Sequence, residues 1–393
     1  MSQEMLDQLR SMDPAMLTTV LRQEQGNPAF ELLDWSVEPL GHEKIIRTTG
    51  GLYHFSGHGQ DGDGIRPWSV VLKIVNHPSG EMCQAPREWC YWKRELLAFD
   101  SGLLAGLPGP VRAPRCYGVT EQEDGGWLWM EHIVESTGRR WSPADFGRAA
   151  YHLGRSAAAY LNERALPDAP WLGEPFFRST FADGGWWARH MATDTPESVW
   201  QHPLVQQAFA PDLRRRILAI WADKYGFFDA LDRLPQVLCH NDCHRRNLMW
   251  RKADEGQEEL IVLDWAFCGL GGVGMDMGEL VATSAYFFEY ELSAIEEVER
   301  LVFQNYLAGL RAAGWMGDER LVRLGYTASA ALWMGATLPG WTAIMLDPAS
   351  GVNVTAMYGR PAEDVLAGWV ALTEFLLDRA DEARLLMGAM EIA

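Results

Sequence analysis

The spacing of apolar residues changes character along this chain, and each change predicts a new kind of element. Residues 1–30 carry Leu6, Leu9, Met16, Leu17 and Leu21 at helical spacing, and Asn27-Pro28 closes that segment. Alternation then takes over. It predicts strands over Leu32–Pro39, Leu52–Phe55 and Trp68–Val75, with Trp35 and Val37 set against polar neighbours in the first. Between the second and third, Gly57 to Gly64 is rich in glycine and reads as a flexible hairpin loop. A helix is expected over Glu88–Leu97, then strands over Val111–Val119 and Trp127–Met130, with a hairpin at Asp124-Gly125-Gly126. Glu131-His132-Ile133-Val134 follows as a hinge. Ser142 and Pro143 suit the cap and first position of a long helix whose buried face is Phe146, Ala149, Leu153, Ala157 and Leu161. Helical spacing is loose after Pro167, recovers over Leu213–Leu231, and predicts further helices over Ala294–Ala313, Asp318–Gly335 and Ala362–Met387. Gly340-Trp341 and Asp347-Pro348 are expected to separate the last two. One apolar run interrupts this regime: Leu260-Ile261-Val262-Leu263, ending in Asp264.

Five strands and one helix followed by a helical remainder make an α+β chain of two lobes. The expected division is a helical extension over 1–30, a small lobe over 31–132 and a large lobe over 133–393. A chain of 393 residues is long enough for two such units.

Composition narrows the partners. With 34 basic and 53 acidic side chains, the formal charge of −19 disfavours nucleic acid and anionic membrane surfaces, and favours a cationic ligand. The N-terminus lacks the basic and apolar regions of a signal peptide, and no apolar run reaches the length of about 20 residues that spans a bilayer. A cytoplasmic location is the resulting expectation. The six cysteines show no disulfide framework, so free thiols are expected.

The candidate chemistry lies between Val237 and Glu279. His240-Asn241-Asp242 is followed five positions after the aspartate by Asn247, and Asp264 stands at the end of the apolar run. That order suits phosphoryl transfer from a nucleoside triphosphate: one carboxylate takes the proton of an acceptor hydroxyl, while an amide oxygen and a second carboxylate hold magnesium. Cys239, His240, Cys243 and His244 also sit at spacings that can ligate zinc. No second cluster supplies a matching half-site, so the last two and Cys239 read as loop and core. Lys73 lies inside the apolar strand Trp68–Val75, where a cation needs an anionic partner.

The segment resembles the signature motif of the aminoglycoside phosphotransferase and choline kinase family, the small-molecule branch of the protein-kinase-like fold. The resemblance implies a two-lobed kinase-like fold, with a five-stranded antiparallel sheet and one helix in the small lobe. It further implies Asp242 as catalytic base, His240 as a brace of that loop, and Asn247 and Asp264 as Mg2+ ligands. Asp276 is similar to a structural aspartate of the family. Lys73 fits the lysine on the α- and β-phosphates, with Glu95 as its partner and Glu88 as a rival. The glycine-rich phosphate loop of protein kinases is missing, and Thr48-Thr49-Gly50-Gly51 takes its place as the best candidate. The hinge backbone at Glu131 and Ile133 would meet the purine, which leaves ATP and GTP undistinguished.

The function implied is a small-molecule kinase acting on a hydroxyl of an amino alcohol, a sugar or an aminoglycoside-like antibiotic. The segments 166–235 and 284–393 are expected to shape the acceptor pocket, with Trp186, Trp187, Trp333 and Trp341 as an aromatic wall. Asp183, Glu279, Glu289 and Glu291 are candidates for contact with a cationic acceptor. The alternative is a catalytically idle nucleotide- or ligand-binding relative. A protein substrate is disfavoured, because no activation segment ends in Ala-Pro-Glu.

Overall fold

The computed structural model describes residues 3–40, 49–80, 82–138, 140–183, 187–188, 199–252 and 258–391. Two expected positions, Thr48 and Trp186, lie outside the described residues. The chain opens with two helices, α1 (Gln3–Arg10) and α2 (Pro14–Gln25). Asp13 caps α2 by accepting from the Ala15 N–H, and Pro14 stands at its first turn.

Strands β1 (Glu31–Leu40), β2 (Thr49–Asp61), β3 (Gly64–Asn76), β5 (Cys116–Gln122) and β6 (Gly125–Glu131) form an antiparallel sheet in the order β1-β2-β3-β6-β5. The alternation along β3 explains its two-sided apolarity. Val70, Leu72 and Ile74 join Phe55, Trp68 and Trp129 in a core covered by Leu9, Leu17 and Leu21 of α1 and α2. Val71 and Val75 point the other way, into the main core, and Lys73 shares their face. The N-terminal helices thus serve as the roof of the small lobe.

Gly57 to Gly64 is not the loop expected. Gly57–Asp61 continue β2, Gly64 begins β3, and the turn is confined to Gly62-Asp63. Glycine was misleading here because it has a packing role in the strand: a Cβ on Gly57 would come within 2.1 Å of the Asp34 carbonyl on β1. The strand expected over Val111–Val119 is likewise two elements. β4 (Val111–Arg112) leaves this sheet and pairs in parallel with β9 (Glu258–Val262), and only β5 stays.

The helix α3 begins at Arg94 and runs to Asp100, six residues later than expected. The preceding segment is a series of turns closed by a Cys83–Cys90 disulfide with a Cα–Cα distance of 4.8 Å. This overturns the expectation of free thiols for that pair; Cys116, Cys239, Cys243 and Cys268 are free. The pairing was invisible in the spacing, because it depends on the chain folding back until the Trp92 N–H donates to the Cys83 carbonyl. Closing so short a loop is worth about 2–3 kcal/mol. The double variant Cys83→Ser/Cys90→Ser should lose that much in a denaturant titration.

The large lobe is mostly helical. α4 (Pro143–Asn162) carries a capping box between Ser142 and Asp145 and packs along the helix Ile295–Ala312. The two cross at glycines: a Cβ on Gly309 would lie 2.1 Å from the Tyr151 carbonyl, and one on Gly154 would lie 2.2 Å from that of Tyr306. Gly309→Ala is expected to force these helices apart at about 1–3 kcal/mol, read as a lowered melting temperature. The helix Glu319–Ala330 passes through a π turn, Ala331–Gly335, into Ala336–Met345. Gly340-Trp341 therefore does not break the chain, and Asp347-Pro348 does. Beyond it the last long helix is Ala362–Ala389. Among the described residues no helix is long and apolar enough to cross a membrane.

Candidate active site

Two short sheets in the large lobe carry the expected residues. β7 (Gln236–Cys239) pairs antiparallel with β10 (Gly269–Gly272) and delivers His240-Asn241-Asp242 at its end. β8 (Leu248–Lys252) and β9 (Glu258–Val262) form a hairpin whose register sets Leu248 opposite Val262. Asn247 precedes the first strand and Asp264 follows the second. The hairpin closes between them, with the Leu263 N–H donating to the Asn247 carbonyl at 2.8 Å. Strand pairing, rather than sequence proximity, is what brings the amide and the carboxylate together.

Asn241 and Asp264 both adopt left-handed backbone, at φ 60° and 59°. Non-glycine residues pay for that conformation unless their surroundings fix it, and such strain gathers at functional sites. Asn241 is held by its side-chain nitrogen on the Phe267 carbonyl at 3.0 Å and by its backbone N–H on Asp276. Asp276 also accepts the His240 N–H. Burial pushes the Asp276 carboxyl up to about 6 despite those two donors. It ties the start of the His240–Asp242 loop to the helix behind it.

His240 bridges the two loops. Its Nδ1 accepts the Asp242 N–H at 3.2 Å and its Nε2 donates to the Leu263 carbonyl at 2.8 Å. Burial drives this ring down to about 4, so it is a neutral brace at neutral pH. The Asp242 carboxylate accepts from Asn247 Nδ2 at 2.9 Å, which leaves the amide oxygen turned away from that contact. Burial first, and Asp264 second, push Asp242 well above the usual carboxylate range.

Lys73 reaches the same point from the small lobe. Its Nζ lies 2.6 Å from Glu95 Oε2 and 2.7 Å from Asp264 Oδ1, and the lysine and Glu95 side chains are only 6% and 3% exposed. Burial opposes the charge on Lys73, yet Asp264 and Glu95 outweigh it and hold the lysine protonated. The same cation holds Asp264 below the carboxylate range against the pull of burial. Glu95 also accepts the Trp265 N–H at 3.1 Å, so α3 is fastened directly to the Asp264 turn. Glu88 is not the lysine's partner. Its carboxylate accepts the Ala85 N–H, in the loop closed by the disulfide.

A residue that sequence reasoning passed over adds to this fastening. Arg94, 2% exposed, donates to the carbonyls of Pro86, Glu88, Trp89, Trp171 and Ala266. Nothing in the sequence separates it from an exposed helix cation; only its burial beside Glu95 does.

The remaining expected positions have other surroundings. The Glu131 carboxylate is taken by Arg112 at 2.6 Å, by the Arg115 N–H and by Arg251, and the Glu131 N–H donates to the Arg115 carbonyl. Its side chain thus joins β6 to β4 and β8. Ile133 is half-buried beyond the end of β6. Thr49, Gly50 and Gly51 begin β2, where a Cβ on Gly50 would lie 2.5 Å from Asn76 and Ile74 side-chain atoms. Trp333 packs against Phe176, Phe181 and Trp89, whereas Trp341 meets Trp187 and Tyr286. Asp183, Glu289 and Glu291 are already paired, with Lys224, Arg246 and Arg360. Glu279 is buried on Thr283 at 2.5 Å and is pushed well up by burial and then by Asp242. Between Asp242 and Asn247, Arg245 is buried against Glu135 and Trp141. No group of three or more His, Cys, Asp or Glu side chains among the described residues is arranged to hold a metal.

The sequence profile of the phosphotransferase enzyme family matches residues 81–313, more than half of the chain. The chain belongs to the phosphotransferase enzyme family. The match takes in Glu95, His240, Asp242, Asn247, Asp264 and Asp276, and begins after Lys73. No curated protein matches the sequence. Among solved structures, the chain resembles an amicoumacin kinase held with AMP-PNP and Ca2+, at 13% identity and a TM-score of 0.48, covering 96% of each chain. It also resembles an aminoglycoside phosphotransferase from Streptomyces rimosus, at 18% identity, a TM-score of 0.40 and coverage of 82% of this chain and 98% of that one. A choline/ethanolamine kinase family protein from Mesorhizobium loti is similar at 14% identity and a TM-score of 0.42, covering 88% and 92%.

Proposed function

We propose that this member of the phosphotransferase enzyme family is a small-molecule kinase, moving the γ-phosphoryl group of ATP or GTP to a hydroxyl of a small acceptor. The observation that carries the reading is the meeting of Lys73, Asp264, Asn247 and Asp242 through one set of contacts from two lobes. A bare binding protein has no use for a partly exposed base whose carboxylate and backbone are both fixed in place.

The residues fit a divalent cation. Asn247 and Asp264 offer oxygen donors, which suit Mg2+, and their small number suits an ion whose shell is completed by phosphate and water. Bound there, the cation would supply neutralisation of the phosphate charge. Lys73, held protonated, would contact the α- and β-phosphates while Glu95 fixes its direction. Thr49, Gly50 and Gly51 would offer backbone to the phosphates, and the backbone at Glu131 and Ile133 would meet the purine. Asp242 would accept the hydroxyl proton as that oxygen attacks the γ-phosphorus and the bond to the β-phosphate oxygen breaks. His240 holds Asp242 and Asp264 in register throughout.

Turnover should be measured as nucleoside diphosphate release with ATP or GTP, with and without a panel of amino alcohols, sugars and aminoglycosides. Mg2+-dependent release that rises with one acceptor, and stops with EDTA, is the expected result. A protein that binds neither nucleotide in the presence of Mg2+ would overturn the reading.

A further inference from the structure

His240 has a counterpart four residues further along the same loop: His244, buried at 7% exposure. Each ring accepts, on Nδ1, the backbone N–H two residues on. For His240 the donor is Asp242, and for His244 it is Arg246 at 3.3 Å. A backbone N–H can only donate, so Nδ1 of a ring in that embrace carries no proton. A neutral imidazole must then bear its hydrogen on Nε2. In His240 that hydrogen goes to the Leu263 carbonyl. In His244, Nε2 lies 3.4 Å from Oδ1 of Asp242. Asn247 already donates to Oδ2 of the same carboxylate.

We propose that His244 is a positioning residue for Asp242, its Nε2–H aimed at Oδ1 so that the carboxylate is gripped on both oxygens. The role rests on the kinase reading given above, while the tautomer that performs it does not. The ring is neutral, as burial and then Arg246 drive it down to about 3, and it stacks at a tilt on Phe287 at 5.0 Å. His244 keeps its own proton during the reaction. Asp242 takes the hydroxyl proton, and the histidine fixes which lone pair faces the acceptor. At 3.4 Å the contact is long, as such contacts are before substrate closes the site. The four-residue cluster Cys239, His240, Cys243 and His244 therefore divides between two buried thiols and two histidines that meet Asp242, one at its backbone and one at its carboxylate.

The first test needs no substrate. In the free protein at neutral pH, the 15N resonances of His244, assigned by their loss in His244→Phe, should report a neutral ring protonated on Nε2. The Nε2 resonance should shift in Asp242→Asn. A ring protonated on Nδ1, or a doubly protonated ring, overturns the proposal. The second test uses MgATP alone and follows its slow hydrolysis by water. His244→Phe, which still packs on Phe287, should lower that rate about 10- to 100-fold with the MgATP dissociation constant unchanged. His244→Gln, whose amide nitrogen takes the place of Nε2, should recover most of it. Equal losses in the two variants, or a parallel loss of MgATP affinity, overturn the proposal. If the wild-type protein binds no MgATP while the ring shows the expected tautomer, the kinase reading fails and the grip of His244 on Asp242 stands.

Discussion

Asp242→Asn is expected to lower acceptor-stimulated turnover by about 10²–10⁴-fold while leaving nucleotide affinity unchanged. The change preserves volume, and the backbone N–H of residue 242 still donates to His240, so the loop keeps its shape. What is lost is the site for the proton. An amide oxygen is a far weaker base than a carboxylate, and one face of the new side chain presents a donor to His244 or Asn247, which are donors themselves. Diphosphate release and titration with a fluorescent nucleotide separate the two quantities. Retained turnover in this variant would remove Asp242 from the chemistry.

Lys73→Met should cost both activity and stability. Glu95 is 3% exposed, and Lys73 is the cation paired with it. Removing one partner of a buried ion pair leaves the other charge uncompensated, at about 3–5 kcal/mol. Asp264 loses the same partner but is 39% exposed, so solvent softens its share. The control is Lys73→Met with Glu95→Leu, which replaces the pair by apolar groups of similar bulk. Stability in urea should return in the double variant, since well-packed apolar replacements of buried pairs are often neutral. Turnover should not return, because the cation expected on the phosphates is still missing. A double variant that regained activity would assign the pair a purely structural role.

Much of this was legible before any coordinates. The order His240, Asp242, Asn247, Asp264 picked out residues that the end of β7 and the β8–β9 hairpin do bring together. Lys73 betrayed itself as a charge in an apolar strand. The five strands were visible as alternation, and the sheet has them in the expected antiparallel form. What failed did so where tertiary contacts override local signals. Glycines of β2 looked like a loop because their packing against β1 has no signature in the chain. Gly340-Trp341 looked like a break, yet it sits inside a helix that enters through a π turn. Arg94 and His244 were missed for the same reason: their meaning lies in which atoms they face.

The two N-terminal helices have a further consequence. They are synthesised before any of the strands they shelter, so an oily sheet face built from Phe55, Trp68, Leu72 and Trp129 meets its cover as soon as it closes. Shortening the chain from its beginning would leave the residues around Lys73 and Asp242 untouched in composition and still strip that face bare. The resulting protein would be prone to clump through the surface that ought to have been sealed first.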